Sequence, residues 1–211
     1  FQEAPSVDIT KSITKWSYCL RNTEEIPEVM NEAFRIANSG KKGPVHIDIP
    51  KCISTNEVYL PFNHLNNHLF KDNYFRKDKF NENKFNDIVK IINNAKNPIF
   101  YIGQGAKHAS KELYDCIIKS NIPCTSTIHG KGIFPENEEL SLKWCGMHGM
   151  ASANFAIQQS DCIIAIGSRF DDRTTGNTEY YAPIAKKKKQ IIHIDIEEKQ
   201  FNRAINWDYN L

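Results

Sequence analysis

Four short segments of this chain carry the residue types that hold phosphorylated cofactors. Gly103-Gln104-Gly105 pairs two glycines, which let backbone approach a ligand closely. The third glycine of a dinucleotide fingerprint would fall on His108, so a simple tight turn stays open. Gly167-Ser168-Arg169-Phe170-Asp171-Asp172-Arg173 sets a glycine beside two arginines, whose planar forks match phosphate oxygens. Asp171 and Asp172 either orient those arginines and accept from ribose hydroxyls, or join them in a surface network of ion pairs. His193-Ile194-Asp195-Ile196-Glu197 ends an apolar run on an acid that meets a nucleotide sugar or caps the next helix. Cys145-Gly146-Met147-His148-Gly149 places a thioether and an imidazole between two glycines, as a ligand loop or as a helix entry with His148 merely satisfied. Together these segments imply a phosphate-bearing nucleotide cofactor. No Ser-His-Asp nucleophile arrangement, acid–base carboxylate pair or metal-ligand cluster stands out, so the metal ligands are none.

The elements that must position these loops alternate along the chain. Thr23 reads as the N-cap of a helix with Glu24 and Glu25 in its first turn. Its buried stripe is Ile26, Val29, Met30, Ala33, Phe34 and Ala37, and Gly40 ends it. Pro44-Val45-His46-Ile47-Asp48-Ile49-Pro50 reads as a strand, completing half of a βαβ unit. Periodicity is absent from about Cys52 to Lys79, as in a linker between domains. Beyond it a helix face of Phe85, Ile88, Val89 and Ile92 precedes the strand Pro98 to Gly103. Ser110 can cap a helix bearing Leu113, Cys116 and Ile117, and Ile122 to Thr127 returns as a strand. A helix over Met150 to Gln159 is followed by strands over Asp161 to Gly167 and Gln190 to Ile196. Apolar strands alternating with helices predict a doubly wound parallel α/β sheet, preceded by the tail of another α/β domain. Ligands in such a sheet bind at the carboxyl ends of the strands, where the Gly103, Gly167 and His193 segments lie, while Cys145 to Gly149 is read only as a loop.

Composition narrows the function classes. In 211 residues, 27 Lys+Arg against 25 Asp+Glu leave a net charge of +2, without the basic face that nucleic-acid binding needs. The run Lys186-Lys187-Lys188-Lys189 reads as a solvated loop rather than a phosphate patch. Six cysteines form no Cys-x-x-Cys pair, which argues for buried thiols in a reducing compartment and against secretion. No apolar run approaches the roughly 20 residues that span a bilayer. The opening Phe1-Gln2-Glu3 lacks Met and any leader, as expected of an internal piece of a longer polypeptide.

At these same residues the chain resembles the acetolactate synthases, thiamine-diphosphate-dependent enzymes that also carry FAD. The likeness rests on Phe1-Gln2-Glu3, Ser12-Ile13-Thr14-Lys15, Gly43-Pro44-Val45, Asp48-Ile49-Pro50-Lys51, Leu140-Ser141-Leu142, Gly146-Met147-His148-Gly149 and Arg169-Phe170-Asp171-Asp172-Arg173. Singly each is a common pattern; in this order and spacing they are specific.

The resemblance implies condensation of two 2-ketoacids, pyruvate with pyruvate or 2-ketobutyrate, with CO2 release, in branched-chain amino-acid biosynthesis. It makes 1–53 the end of the thiamine-pyrimidine-binding domain, 54–80 an interdomain linker and 81–211 the Rossmann-like central FAD-binding domain. FAD would meet Lys41, Gly103, Gln104, Gly105, Thr127, Ile128, Gly146, Met147, His148, Gly167, Ser168, Arg169, Asp171, Arg173, Asp195 and Ile196. Phe1, Gln2, Lys51, Met147, His148, Asp172 and Arg173 would line the substrate channel. Lys41 stands where the family carries Arg, keeping the charge but losing the bidentate fork. The family's catalytic glutamate would lie before Phe1, and the motif binding thiamine diphosphate through Mg2+ after Leu211. This piece then holds no catalytic residue and no turnover is expected from it alone. The full subunit would be a homodimer or homotetramer, with or without a regulatory subunit, in a plastid or a bacterial cytoplasm. Nucleic acid and membrane are not expected partners. Two alternatives are a non-catalytic nucleotide-binding module and another thiamine-dependent carboligase or decarboxylase.

Overall fold

A computed structural model of the chain describes residues 4–57, 81–197 and 200–211. The expected linker segment Val58 to Lys79 lies outside the described residues, as do Phe1 and Gln2. The chain divides into two compact units, Phe1–Lys79 and Phe80–Leu211.

The first unit contains helix α1 (Ser6–Thr10), strand β1 (Trp16–Cys19), helix α2 (Ile26–Asn38), strand β2 (Val45–Asp48) and helix α3 (Lys51–Ser54). β1 pairs in parallel with β2, Trp16 opposite Val45. The helix–strand half read from sequence is therefore a complete βαβ unit. Leu20, Val29 and Ile53 form its small core, with Trp16, Tyr18, Ile26 and Ile47 packed against them.

Two expectations for α2 are corrected. Thr23 does not cap it: Asn22 Oδ1 accepts from the Glu25 amide at 3.0 Å while the Glu25 carboxylate accepts from the Asn22 amide. This reciprocal box, with Pro27 in the first turn, fixes the start. Phe34 is 54 % exposed rather than part of the stripe, because it sits about 100° round the helix from buried Ala33. Lys15 closes the other end by donating to the Ile36 and Ser39 carbonyls, and its stem lies 3.1 Å from where a Gly43 side chain would start. Two of the sequence motifs, Ser12-Ile13-Thr14-Lys15 and Gly43-Pro44-Val45, thus meet here.

The second unit is a six-stranded sheet in the order β5-β4-β3-β6-β7-β8, with every neighbouring pair parallel. Its strands are β3 (Pro98–Ile102), β4 (Cys124–Ser126), β5 (Ser141–Trp144), β6 (Cys162–Ile166), β7 (Ile191–Ile194) and β8 (Tyr209–Asn210). Helices α4 (Glu82–Asn94), α5 (Ser110–Ser120), α6 (Ala151–Gln159), α7 (Asp172–Thr175) and α8 (Pro183–Lys188) complete it. The chain winds outward from β3 to β5, then returns to β6 on the other side of β3, the order that defines doubly wound dinucleotide folds.

Alternation along the strands builds two cores. Phe100, Ile102, Cys124 and Ile164 face one side with Ile88 of α4 and Leu113 and Ile117 of α5. Ile99, Tyr101, Ile163, Ala165 and Ile191 face the other with Ala153 and Ile157 of α6 and Ala185 of α8. Both faces are therefore covered, which is why the strands read as unbroken apolar runs.

Helix details differ again from expectation. Phe85 is 40 % exposed and Cys116 is exposed, each at the margin of its helix's buried stripe. Ser110 caps nothing, because the 3-10 turn Gln104–Ala109 runs straight into α5. The lysine run is no loop. Lys186, Lys187 and Lys188 close α8, with Lys186 donating to the Thr178 carbonyl and Lys188 lying 2.7 Å from Asp161.

Candidate functional site

Because all six strands run the same way, their carboxyl ends share one edge of the sheet. That edge gathers the loops after β3 (Gly103, Gln104, Gly105), β4 (Thr127, Ile128), β5 (Gly146, Met147, His148), β6 (Gly167 to Arg173) and β7 (Asp195, Ile196). Residues far apart in sequence become neighbours through topology alone. Lys41 and Lys51 belong to the first unit, both exposed, the one after α2 and the other opening α3.

The glycines lock these loops together. A side chain on Gly103 would begin 2.1 Å from the Gly167 carbonyl oxygen, and one on Gly105 would begin 2.7 Å from Gly167 Cα. The Gly103 amide donates to Ile166 at 2.8 Å, the Gly105 amide to Gly167 at 3.0 Å and the Gly167 amide to Ile194 at 2.8 Å. The close approach that glycine permits is thus realised between the β3 and β6 loops, and these three N–H groups are already used. The Gly146 amide likewise donates to Asn154 Oδ1 at 2.8 Å, and Met147 to the Arg173 carbonyl at 2.8 Å. Arg173 Nη1 reaches 3.9 Å from the Met147 sulfur, so two residues expected to line one channel do meet.

Side chains supply what the backbone does not. Arg169 and Arg203 border one cleft of about 380 Å³ with Phe170, Asp171, Asp172 and Ala204. Among the described residues Arg169, Arg173, Asp171 and Asp172 take part in no ion pair, so a surface ion-pair network is not what these charges form. Asp171 instead accepts from the Thr174 hydroxyl at 3.1 Å in the first turn of α7. Arg203 escaped sequence reasoning: a lone arginine in Asn202-Arg203-Ala204 carries no motif, and only folding sets it beside Arg169. Ile128, Met147 and Ile196 stand 58, 61 and 76 % exposed along the same edge. An edge offering guanidinium groups and bare apolar side chains suits a ligand with both phosphates and flat ring surface.

Other expected site residues have structural tasks. Thr127 is buried and its hydroxyl accepts from the Gly130 amide at 3.1 Å. Ser168 is 2 % exposed, so it shapes the loop rather than facing outward. Asp195 Oδ1 accepts from the Glu197 amide at 3.0 Å, closing a turn. Gln104, His148, Asp172 and Arg173 are exposed. Burial pushes the Cys145 thiol up to about 11, and Cys124 and Cys162 to about 12, so these cysteines stay protonated and pack as small hydrophobes. All six cysteines are free. Among the described residues no group of three or more His, Cys, Asp or Glu is placed to hold a metal ion, and no helix is long and apolar enough to cross a membrane.

Fold and edge together define a doubly wound, Rossmann-like α/β domain. Residues 85–211 match the model of the thiamine pyrophosphate enzyme central domain, and the chain belongs to that family. It is 42 % identical over 205 residues to acetolactate synthase 2, chloroplastic, of Nicotiana tabacum, covering 96 % of this chain and 30 % of the relative. The acetolactate synthase catalytic subunit, mitochondrial, of Saccharomyces cerevisiae is 39 % identical over 224 residues, covering 97 % and 32 %. The acetolactate synthase isozyme 1 large subunit of Escherichia coli is 38 % identical over 203 residues, covering 96 % and 34 %. The chain spans about a third of the length of these relatives.

Proposed function

We propose that the chain is part of an acetolactate synthase catalytic subunit and that its second unit holds FAD along the carboxyl edge of the sheet. The observation that carries the FAD reading is that Arg169 and Arg203 border one cleft, on the strand-end edge that also carries exposed Ile128, Met147 and Ile196. The arginines would take the diphosphate, and the apolar side chains would cover ring surface. The reaction in this reading joins two 2-ketoacids, pyruvate with pyruvate or 2-ketobutyrate, and releases CO2. It involves no net redox change, so FAD is structural. Thiamine diphosphate with Mg2+ supplies the carboligation chemistry, and none of the residues above is assigned to it. In this reading Met147, His148, Asp172 and Arg173 would line the substrate channel, and the family resemblance alone adds Phe1, Gln2 and Lys51. Residues 1–53 are assigned to the end of the pyrimidine-binding domain, 54–80 to the linker and 81–211 to the central domain.

The relatives' names, a catalytic subunit and a large subunit, support an enzyme that has a further subunit; a homodimer or homotetramer of the full subunit, with or without a regulatory one, completes the reading. A plastid or bacterial cytoplasm fits the tobacco and Escherichia coli relatives, and the yeast relative adds the mitochondrion.

The test uses the complete subunit. Arg169→Ala lowers FAD affinity by about tenfold or more, as expected for losing one charged hydrogen-bonding partner. Lys187→Ala, on the exposed end of α8, leaves it unchanged. Flavin absorbance and fluorescence after gel filtration read both variants. A wild-type enzyme that carries no flavin and gains no activity from added FAD removes the reading.

A further inference from the structure

The loop that carries Arg169 is fixed at four points, two of them through side chains. The Gly167 amide is held by Ile194, the Gly167 carbonyl by Gly105, and the ring of Phe170 stacks on Tyr101 at 5.1 Å. The fourth point is His193, whose Nε2 lies 2.7 Å from the Ser168 carbonyl oxygen. A carbonyl only accepts, so Nε2 carries the proton and the ring is the Nε2–H tautomer.

His193 is an odd occupant of its place. It lies in β7 between Ile192 and Ile194, is 1 % exposed, and is flanked edge-on by Phe170 at 5.2 Å and Phe201 at 5.1 Å. Its Nδ1 is buried without a hydrogen-bond partner among the described residues. A strand interior normally excludes such a group, because burying a polar atom unpaired is costly. What the imidazole supplies is the bond to Ser168. That bond sits at the point where the chain turns: Ser168 and Phe170 are each 2 % exposed, Arg169 between them is exposed, and Phe170 adopts a left-handed φ of 52° that a non-glycine residue holds only when its surroundings enforce it.

We propose that His193 is a positioning residue, which through its bond to the Ser168 carbonyl holds the β6 loop in the shape that turns Arg169 outward to a ligand phosphate. The phosphate part rests on the FAD reading above; the loop part does not.

Full-length protein carrying His193→Phe, His193→Gln or His193→Asn separates the two. Glutamine carries an amide N–H to about the reach of Nε2, asparagine stops short, and phenylalanine fills the space without a donor. In flavin-free protein, hydrogen exchange of the Gly105 and Gly167 amides is expected to quicken about tenfold in the Phe and Asn variants and to stay near wild type in the Gln variant. FAD affinity, by fluorescence titration, falls about tenfold in the first two and less than about threefold in the third. Ile192→Val, a core change on the same strand, alters neither readout. If Phe fails to fold, Gln against Asn still decides. Unchanged exchange in Asn, or Gln no better than Asn, overturns the positioning role. Exchange that quickens while FAD affinity holds overturns the link to Arg169 and phosphate. A wild type that binds no FAD removes the functional reading and leaves the exchange result to judge the loop.

Discussion

Removing the Asp161 carboxylate should open the second unit at the edge opposite the glycine-bearing strand-end loops. Asp161 is 2 % exposed and accepts from the Lys96 amide at 3.0 Å, the Asn97 amide at 2.8 Å and Lys188 Nζ at 2.7 Å. It therefore ties the turn before β3, the start of β6 and the end of α8. Each amide bond to a charged acceptor contributes about 1.5–3 kcal/mol. Lys188 is 44 % exposed, so water replaces its partner and its pair contributes under about 1 kcal/mol. Asp161→Ala is then expected to cost about 3–7 kcal/mol, Asp161→Asn about half as much because one acceptor survives, and Lys188→Ala under about 1 kcal/mol. Burial pushes the Asp161 carboxyl up, but Lys188 and the two amides outweigh it and hold it below the ordinary aspartate value. A group whose folded pKa is the lower one contributes fully above the unfolded value and loses that contribution as pH falls through the folded one. The gap between wild type and Asp161→Ala should accordingly narrow on going from pH 7 to about pH 3. Hydrogen exchange of the β3 and β6 amides in the full-length protein measures the local opening free energy. A loss at pH 7 below about 1 kcal/mol, or an equal loss from Lys188→Ala, would refute the clamp.

Gly103→Ala should cost several times more stability than Gly132→Ala, read by urea unfolding of the full-length protein. The first methyl would begin 2.1 Å from a backbone oxygen, whereas the second meets nothing within 4 Å and carries only the cost of a φ of 81°, about 1 kcal/mol. Cys124, Cys145 and Cys162 should react with a thiol reagent only when the protein is unfolded, because each is buried and its thiol is held protonated. Labelling of any of the three at the native rate of a free thiol would contradict the burial that places them.

The class of fold, the four central strands β3, β4, β6 and β7 and the glycine loops that follow β3 and β6 were legible in the residues, while β5 and β8 were not. Continuous apolar runs such as Cys162 to Ile166 mark strands buried on both faces, and glycine after such a run marks a strand end. These are local properties, set by side-chain period and backbone freedom. They say that Gly103 and Gly167 belong at strand ends, and parallel order then puts those ends on one edge; the strand that precedes Gly146 carries no such apolar run and only the structure shows it.

What each residue does at that edge was decided only by tertiary contact. Period does not tell whether a glycine admits a phosphate or another loop; the β3–β6 crevice fills with backbone, and the Gly105 amide goes to Gly167. Asp161, read as the start of a strand, becomes a clamp because the turn before β3 lies some sixty-five residues back in sequence but beside it in space. His193 reads as one more strand residue, yet its bond crosses to a carbonyl twenty-five positions away. Arg203 sits in no pattern and gains its place from the cleft it shares with Arg169. Periodicity records which face of its own element a residue occupies; its partner across the fold depends on how the crossovers bring distant elements together, and that is settled only when the whole sheet closes on its two layers of helices.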